Sequence, residues 1–269
     1  MGKREQQSID ALVASALDKD DVDDERWAIV RVLQDRDGGD VFAVAERLTS
    51  QGHGRERQLG VDILAQGHIA EKPMCDRAIP LLLDLAARER DPSVIAALCH
   101  AFGRLHDPAT IYTITMWATH PDENVRYGVV QGLSGYEDPG AIETLRQLMA
   151  DDDSDVRDWA TFALGTRINA NTPAIREALR ARLDDPDADT CMEALAGLAR
   201  RCDPGVITAL QVMLADKDMN TLPLEAGLAL ADPVFHRALT MLADAWARDE
   251  ALMNVVLTLE EAIEACQPT

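Results

Sequence analysis

Residues Val125 to Asp155 read VRYGVVQGLSGYEDPGAIETLRQLMADDDSD, and the same order of residue types is spelled again on both sides of them. Val125-Arg126 opens the phrase, Val129, Gly132 and Leu133 follow, Asp138-Pro139 restarts it, and Ile142, Leu145 and Leu148 lead to an acidic run from Asp151. Thirty-one residues on, Val156-Arg157 is followed by Ala160, Ala163 and Leu164; 31 residues back, Val94 is followed by Leu98, Ala101, Phe102 and Asp107-Pro108. Self-similarity at a fixed period of this length marks one supersecondary unit copied in tandem. The equivalent first position recurs at Glu25, Glu56, Val94, Val125, Val156, Thr190 and Thr221. Longer spacings before Val94 and Thr190 place surplus residues around Gly67 to Pro73 and Asn169 to Thr172.

Each unit carries two segments with apolar residues at i, i+3, i+4 and i+7, which is the pattern of a helical hairpin with one buried side on each helix. Such hairpins bury little surface alone, so neighbours must stack, and the chain is predicted to be all-α. We call the first helix of each hairpin A and the second B. Asp-Pro at 107, 138 and 203 suits the start of a B helix: Asp caps the exposed N–H groups and Pro is preformed for the first turn. Ser8, followed by Ile9, Leu12, Val13, Ala16 and Leu17, predicts a capping helix over about 5–19, with repeats over about 20–248 and a second cap over about 249–267. All lie in one repeat domain, 1–269. Pro80, inside the apolar run from Ala78 to Ala87, predicts a kink or a helix start near Ile79.

The composition agrees with closely packed helices. Hydrophobic residues make up 47% and aromatic residues 4% of the 269, so Ala, Leu, Val and Ile must fill the core. Forty-seven acidic residues against 26 basic ones give a net charge of −21, a field that repels phosphate backbones and anionic membranes and favours basic partners. Duplex nucleic acid is thereby disfavoured. No apolar run nears the roughly 20 residues that span a bilayer, and MGKREQQSIDAL lacks the apolar core of a signal peptide, so a cytoplasmic protein is expected. The five cysteines (Cys75, Cys99, Cys191, Cys202 and Cys266) are odd in number and unpaired in spacing, as reduced thiols are.

The phrase V-R-x-x-A-x-x-A-L-G, a turn, then D-P-x-A-I-x-x-L-x-x-x-L resembles the HEAT-like repeat family, particularly the short bacterial form also seen in phycobilisome lyase-type proteins. It stands nearly complete as Val156, Arg157, Ala160, Ala163, Leu164 and Gly165, and as Asp138, Pro139, Ala141, Ile142, Leu145 and Leu148. The resemblance covers about residues 20–248 and is strongest from Val94 to Leu214. It implies a right-handed α-solenoid whose B helices line a concave binding platform, without implying one activity. The family holds scaffolds, chaperone-like subunits, bilin lyase subunits and DNA glycosylases, and the last need a basic channel that this charge contradicts.

Four features stand apart from the shared pattern. Arg26, Arg57, Arg126 and Arg157 share one position in four units, either as a row for an acidic partner or as partners of turn aspartates; the family uses an Asp/Arg ladder. Tyr112 and Met116 stand where the next unit has Glu143 and Gln147. A large, partly apolar pair at i, i+4 on an outward position is an anchor for a peptide or helix, unless the adjacent helix covers it. Arg146, Arg180 and Gln211 continue that row. Asp151, Asp152, Asp153 and Asp155 exceed the single cap a helix needs, as do Asp184, Asp185, Asp187 and Asp189, and as the clusters at Asp18 to Asp24 and at Asp216 and Asp218 do, which suggests an acidic docking edge beside plain solvation.

Asp151, Asp153 and Asp155 imitate a calcium loop, but Val156 stands where Gly is needed and Phe162 where Glu is needed. No His, Cys or Ser motif of catalysis or metal binding occurs, and no cofactor is implied. The expected function is a non-enzymatic protein-binding module that uses its B-helix groove and acidic turns on a basic partner, for instance as an inhibitor or immunity-type protein. The alternative is a lyase-like or modifying subunit acting on a protein-bound group in the groove.

Overall fold

The structure, a computed structural model, describes residues 6–20, 23–36, 38–65, 72–207, 210–211, 224, 227–228, 230–246 and 253–267. The surplus turn at 67–71, the anchor Thr221 and the acids Asp216 and Asp218 lie outside them. The described residues form helices and turns with no strand. Contacts group the chain into two compact units, Met1–Thr144 and Leu145–Thr269.

In the first unit, α1 (Ile9–Leu17) is capped by the Ser8 hydroxyl, which accepts from the Ala11 N–H at 3.2 Å. Three A helices follow it, α2 (Asp24–Gln34), α4 (Gly54–Ala65) and α6 (Pro92–Leu105), and a fourth, α8 (Glu123–Leu133), closes the stack. They alternate with B helices α3 (Gly38–Gln51), α5 (Lys72–Arg88), the short α7 (Ile111–Thr115) and α9 (Pro139–Leu148), the last crossing the boundary between units. Along the A helices α4 packs on α6 and α6 on α8, while the B helices α3, α5 and α7 pack on α4, α6 and α8, the A helices that follow them. Leu59, Leu64, Leu98, Phe102, Leu133 and Ile114 are completely or almost completely buried between these layers. Each such side chain contributes roughly 1.5–3 kcal/mol of transfer free energy, so the stack rests on these faces.

In the second unit, A helices α10 (Ser154–Phe162) and α12 (Ala188–Ala199) pack together, α11 (Pro173–Arg180) lies against α12, and α13 (His236–Trp246) pairs with α14 (Met253–Ala265). Val156, Leu164, Leu179 and Leu195 fill the first core; Phe235, Leu239, Leu259 and Ala262 fill the second. Helices α1 and α14 fall within the stretches 5–19 and 249–267, of which residues 5 and 249–252 lie outside the described residues.

The Asp-Pro starts form as expected: Asp107, Asp138, Asp203 and Asp232 each accept, through Oδ1, the N–H two residues on. At Asp107, Asp203 and Asp232 the first turn after Pro is a 3-10 turn rather than α. A helix start near Ile79 is corrected, since α5 runs from Lys72 to Arg88 with Pro80 inside it on an exposed side. The buried stripe of Ala78, Leu82, Leu85 and Ala86 holds the helix against its neighbours on both sides of the proline. That packing outweighs the missing N–H and the ring clash.

Candidate functional site

Helix α7 is barely more than one turn long, and its two sides are sharply divided. Ile114 is fully buried, whereas Tyr112 is 75% and Met116 63% exposed. The spacing i, i+4 puts both outer side chains on one side, and no neighbouring helix covers them. Equivalent outer positions on the B helices before and after are also open to solvent: Ala43 and Arg47 on α3, Pro80 and Asp84 on α5, and Glu143 on α9. Arg47 leans to Asp10 at 3.4 Å and Arg88 to Asp84 at 3.4 Å, both across exposed surface.

The remaining residues expected on this row lie in the second unit. Gln147 and Gln211 are exposed, and Arg146 is half-buried. Arg180 is exposed and is also tied to the scaffold: its Nη2 donates to Asp203 Oδ2 at 2.5 Å and its Nε to Oδ1 at 3.3 Å. Arg176 joins the same carboxylate at 3.3 Å, and Asp203 is fully buried. Burial alone would raise Asp203, but the Gly205 N–H and the two guanidinium groups hold its carboxyl below the ordinary carboxylate value. Sequence periodicity placed Arg180 correctly on an outer face and could not reveal that partner, 23 residues away. Met241, unnoticed in the sequence, is 63% exposed at the outer position of α13.

The acidic turn before α10 divides into two kinds of carboxylate. Asp153 Oδ1 caps the helix by accepting from Val156 N–H at 3.0 Å, and Asp151 Oδ1 accepts from Asp153 N–H at 3.0 Å. These two build the turn. Asp152 and Asp155 are exposed and face solvent. The next turn repeats the division: Asp187 caps Thr190 at 2.9 Å and Asp185 holds Arg157 and Arg182, while Asp184 and Asp189 are exposed. Among the described residues no group of three His, Cys, Asp or Glu side chains is placed to hold a metal ion.

The arginine row is an internal ladder. Arg157 Nη1 donates to the carbonyls of Asp151 and Asp152 in its own turn at 2.9 and 3.1 Å, and its Nη2 reaches the next repeat's Asp185 at 3.2 Å. Arg126 makes the same turn contacts with His120 and Pro121 at 2.9 and 3.2 Å. Arg57 holds Gly52 O at 3.0 Å and grips Glu89 through two bonds of 2.7 and 2.9 Å. Burial would raise Glu89, yet that fork and two backbone N–H groups keep it low. Arg26 pairs instead with Asp62 inside helix α4, at 2.6 Å with both side chains buried. So the acid is not always a turn aspartate. Cys191, the residue in the ladder position of the next repeat, donates through Sγ to Asp185 O and Leu183 O at 3.1 and 3.3 Å.

Besides Met241, two buried or partly buried residues escaped sequence reasoning. Arg201 is buried and donates to five main-chain carbonyls, those of Leu164, Gly165, Ile168, Ala170 and Gly197. Asp158 on α10 is partly buried, with one oxygen fully enclosed and unbonded, and its carboxyl is pushed up to about 6 by burial and by Asp189, Asp187 and Asp155. No local motif announces either, because their surroundings come from a repeat about 30 residues away. Burial lowers His100 and raises Cys99, and the rings of His100 and Tyr127 lie 6.3 Å apart between centroids. A cavity of about 340 Å³ beside α1 and α3 is lined by Val13, Arg47, Leu48, Gln51, Gly52 and Glu56, without a histidine, cysteine or tyrosine.

Stacked A/B hairpins, an arginine ladder tying turn to turn and outer B positions left open define an α-solenoid repeat protein. The family described as HEAT repeats matches residues 79–165 and 151–231, more than half of the chain, and the chain belongs to it. Protein YibA of Escherichia coli K12 is 28% identical over 192 residues, covering 69% of this chain and 68% of YibA. The X-ray structure of that Escherichia coli protein superposes with a TM-score of 0.74 at 23% identity, covering 96% of this chain and 94% of the other. Kap121p has the same kind of fold, with a TM-score of 0.57 at 13% identity over 98% of this chain and 33% of Kap121p.

Proposed function

We propose that this chain is a non-enzymatic module that binds a protein partner through the open outer positions of its B helices, aided by its acidic turns. The observation that carries the reading is the exposure of Tyr112 and Met116, two large side chains that a solvated helix would replace with Glu or Gln, as α9 does. Truncating an exposed aromatic changes fold stability little, whereas interface hot spots are enriched in Tyr. The partner is basic, because a net charge of −21 speeds encounter with positive surfaces and rejects nucleic acid. Among the described residues no helix is long and apolar enough to cross a membrane, which suits work in the cytoplasm. One specific form is an inhibitor or immunity-type protein covering a basic nuclease or toxin. The repeats packed within each unit supply preorganised area, so little ordering entropy is lost on docking.

Pull-down from the native host under a salt titration tests this. We expect retention to fall steeply from about 50 to about 500 mM salt, as screening of charge attraction requires, and to fall again for Tyr112→Ala at low salt. Retention indifferent to both overturns the reading.

A further inference from the structure

The surroundings of Tyr112 and Met116 specify the partner's local chemistry more closely than net charge does. Tyr112 and Met116 stand about 6 Å apart on one side of α7, as residues i and i+4 of a helix do, so together they offer one apolar seat. On the preceding B helix, Asp84 stands two residues after the buried Leu82, as Met116 stands two after the buried Ile114, and its side chain is 75% exposed. On the following one, Glu143 takes the register position of Tyr112 and is exposed. The seat therefore lies on a diagonal between two carboxylates. Packed helices lie about 8–10 Å apart, and a polyproline-II segment advances about 3.1 Å per residue, with every third side chain on the same face. Such a segment crossing the B helices thus passes from Asp84 to the seat, and from the seat to Glu143, in about three residues each.

Resting on the protein-binding reading above, we propose that this surface takes a polyproline-II segment of a partner protein in which one bulky apolar residue is flanked, at the third position on each side, by Lys or Arg; with three residues per turn, all three side chains share one face. The apolar side chain covers Tyr112 and Met116 and desolvates both; the flanking cations meet Asp84 and Glu143. The counter-ion already near Asp84 is Arg88, held by a single 3.4 Å contact across exposed surface, and such pairs are worth little, so an incoming Arg fork displaces it readily. A second copy of this chain is a poor occupant, because two bodies of charge −21 repel. A lipid headgroup or nucleic-acid phosphate is excluded by the same sign.

The test uses the full chain and fluorescein-labelled synthetic peptides read by fluorescence anisotropy. The probe has a central Phe with Arg at the third position on each side and Ser elsewhere. Controls move both Arg next to the Phe, replace Arg with Glu, or replace Phe with Ser. We expect the probe to bind, with affinity about tenfold lower for Tyr112→Ala or Met116→Ala, the range of an interface anchor. Asp84→Asn and Glu143→Gln should each weaken it severalfold, and every control peptide should bind more weakly than the probe. All four positions are exposed, so the variants keep the wild-type melting curve.

Equal binding of probe and Arg-shifted peptide overturns the spacing while leaving the binding reading intact. Probe binding that ignores Tyr112→Ala and Met116→Ala but is lost in the double variant Asp152→Asn, Asp155→Asn moves the contact to the acidic turn and overturns this proposal alone. If no peptide binds, while pull-down of a host partner still depends on Tyr112, the segment chemistry is wrong and the module reading survives. If neither peptide nor host partner responds to Tyr112→Ala, both fall.

Discussion

Arg201 donates through Nη1 to the main-chain carbonyl of Gly165 at 2.8 Å, across a separation of 36 residues. Its Nη2 reaches Leu164 O at 2.6 Å and Ile168 O at 2.8 Å, so one buried guanidinium closes the C-terminal end of α10 and of the π turn that follows it, Ala163 to Arg167. The C-terminal carbonyls of a helix lack intrahelical donors and need others. Here they come from the next repeat, with a positive charge placed at the negative end of the dipole. Arg201→Met should therefore leave several carbonyls buried without a donor and cost about 3 kcal/mol or more. Arg201→Lys, with three donors in no fixed fork, should recover only part. Urea unfolding followed by circular dichroism checks both, and a loss below about 1 kcal/mol for Arg201→Met would refute the staple.

The Arg26–Asp62 pair joins α2 to α4 at 2.6 Å with both side chains almost out of solvent. Removing one member leaves a buried charge, at about 3–5 kcal/mol, whereas removing both for apolar groups of similar size is often nearly neutral. Arg26→Met and Asp62→Leu should each lower the melting temperature strongly, and the double variant should regain most of the loss. A double variant that melts as low as the worse single variant would show that the pair contributes more than mutual neutralisation.

Glycine between A helices is a packing requirement in this stack. A Cβ on Gly197 would lie 2.6 Å from Gly165 Cα and 3.2 Å from the Leu179 methyls. Alanine in a helix is ordinarily favoured over glycine by about 0.8–1 kcal/mol, but here the overlap forces α12 away from the π turn that follows α10 and should cost about 1–3 kcal/mol. Gly39 on α3 has nothing within 4 Å of the same atom. Gly39→Ala should accordingly raise the melting temperature and Gly197→Ala lower it; opposite signs from one chemical change are the outcome to look for in thermal melts.

These cases mark how far the letters reach. Helix faces, Asp-Pro starts and the repeat period were legible because they depend on neighbours within about four residues. The ladder was legible as a position: Arg57 and Arg157 recur, but whether each meets Glu89, Asp185 or, for Arg26, a helical Asp62 depends on how the next repeat presents its acids. Arg180 shows the cost of that ignorance, since the same periodicity that put it on an outer face was silent about Asp203. Tyr112 and Met116 stood out because a residue that breaks a repeated pattern is visible without coordinates, whereas their exposure needed the structure. Asp158 was invisible, because nothing adjacent to it in the chain distinguishes it from the other acids of that turn.

Asp158 gives the last prediction, and its sign is opposite to that of the other carboxylates. Its folded value of about 6 lies above the ordinary 3.8, because burial and the acids Asp189, Asp187 and Asp155 disfavour the anion. Between those two values the folded chain binds the proton more tightly than the unfolded chain, so this group makes stability fall as pH rises toward about 6 and level off above. Glu89, Asp185 and Asp203 are instead held below their ordinary values by arginine and backbone donors. They stabilise above the ordinary carboxylate range and lose that contribution only in stronger acid. Asp158→Asn removes the buried anion while keeping the shape. At about pH 7.5 it should stabilise by about 1 kcal/mol, the shift being discounted for the solvent that still reaches the group, or about 2–4 °C in melting temperature for a chain of this size. The difference should shrink as pH falls below about 6, and the two proteins should converge only near the ordinary carboxylate value of 3.8, where the unfolded chain also takes up the proton. Parallel melting curves across that range, with no convergence, would show that Asp158 is ionised throughout and that its neighbours leave it unstrained.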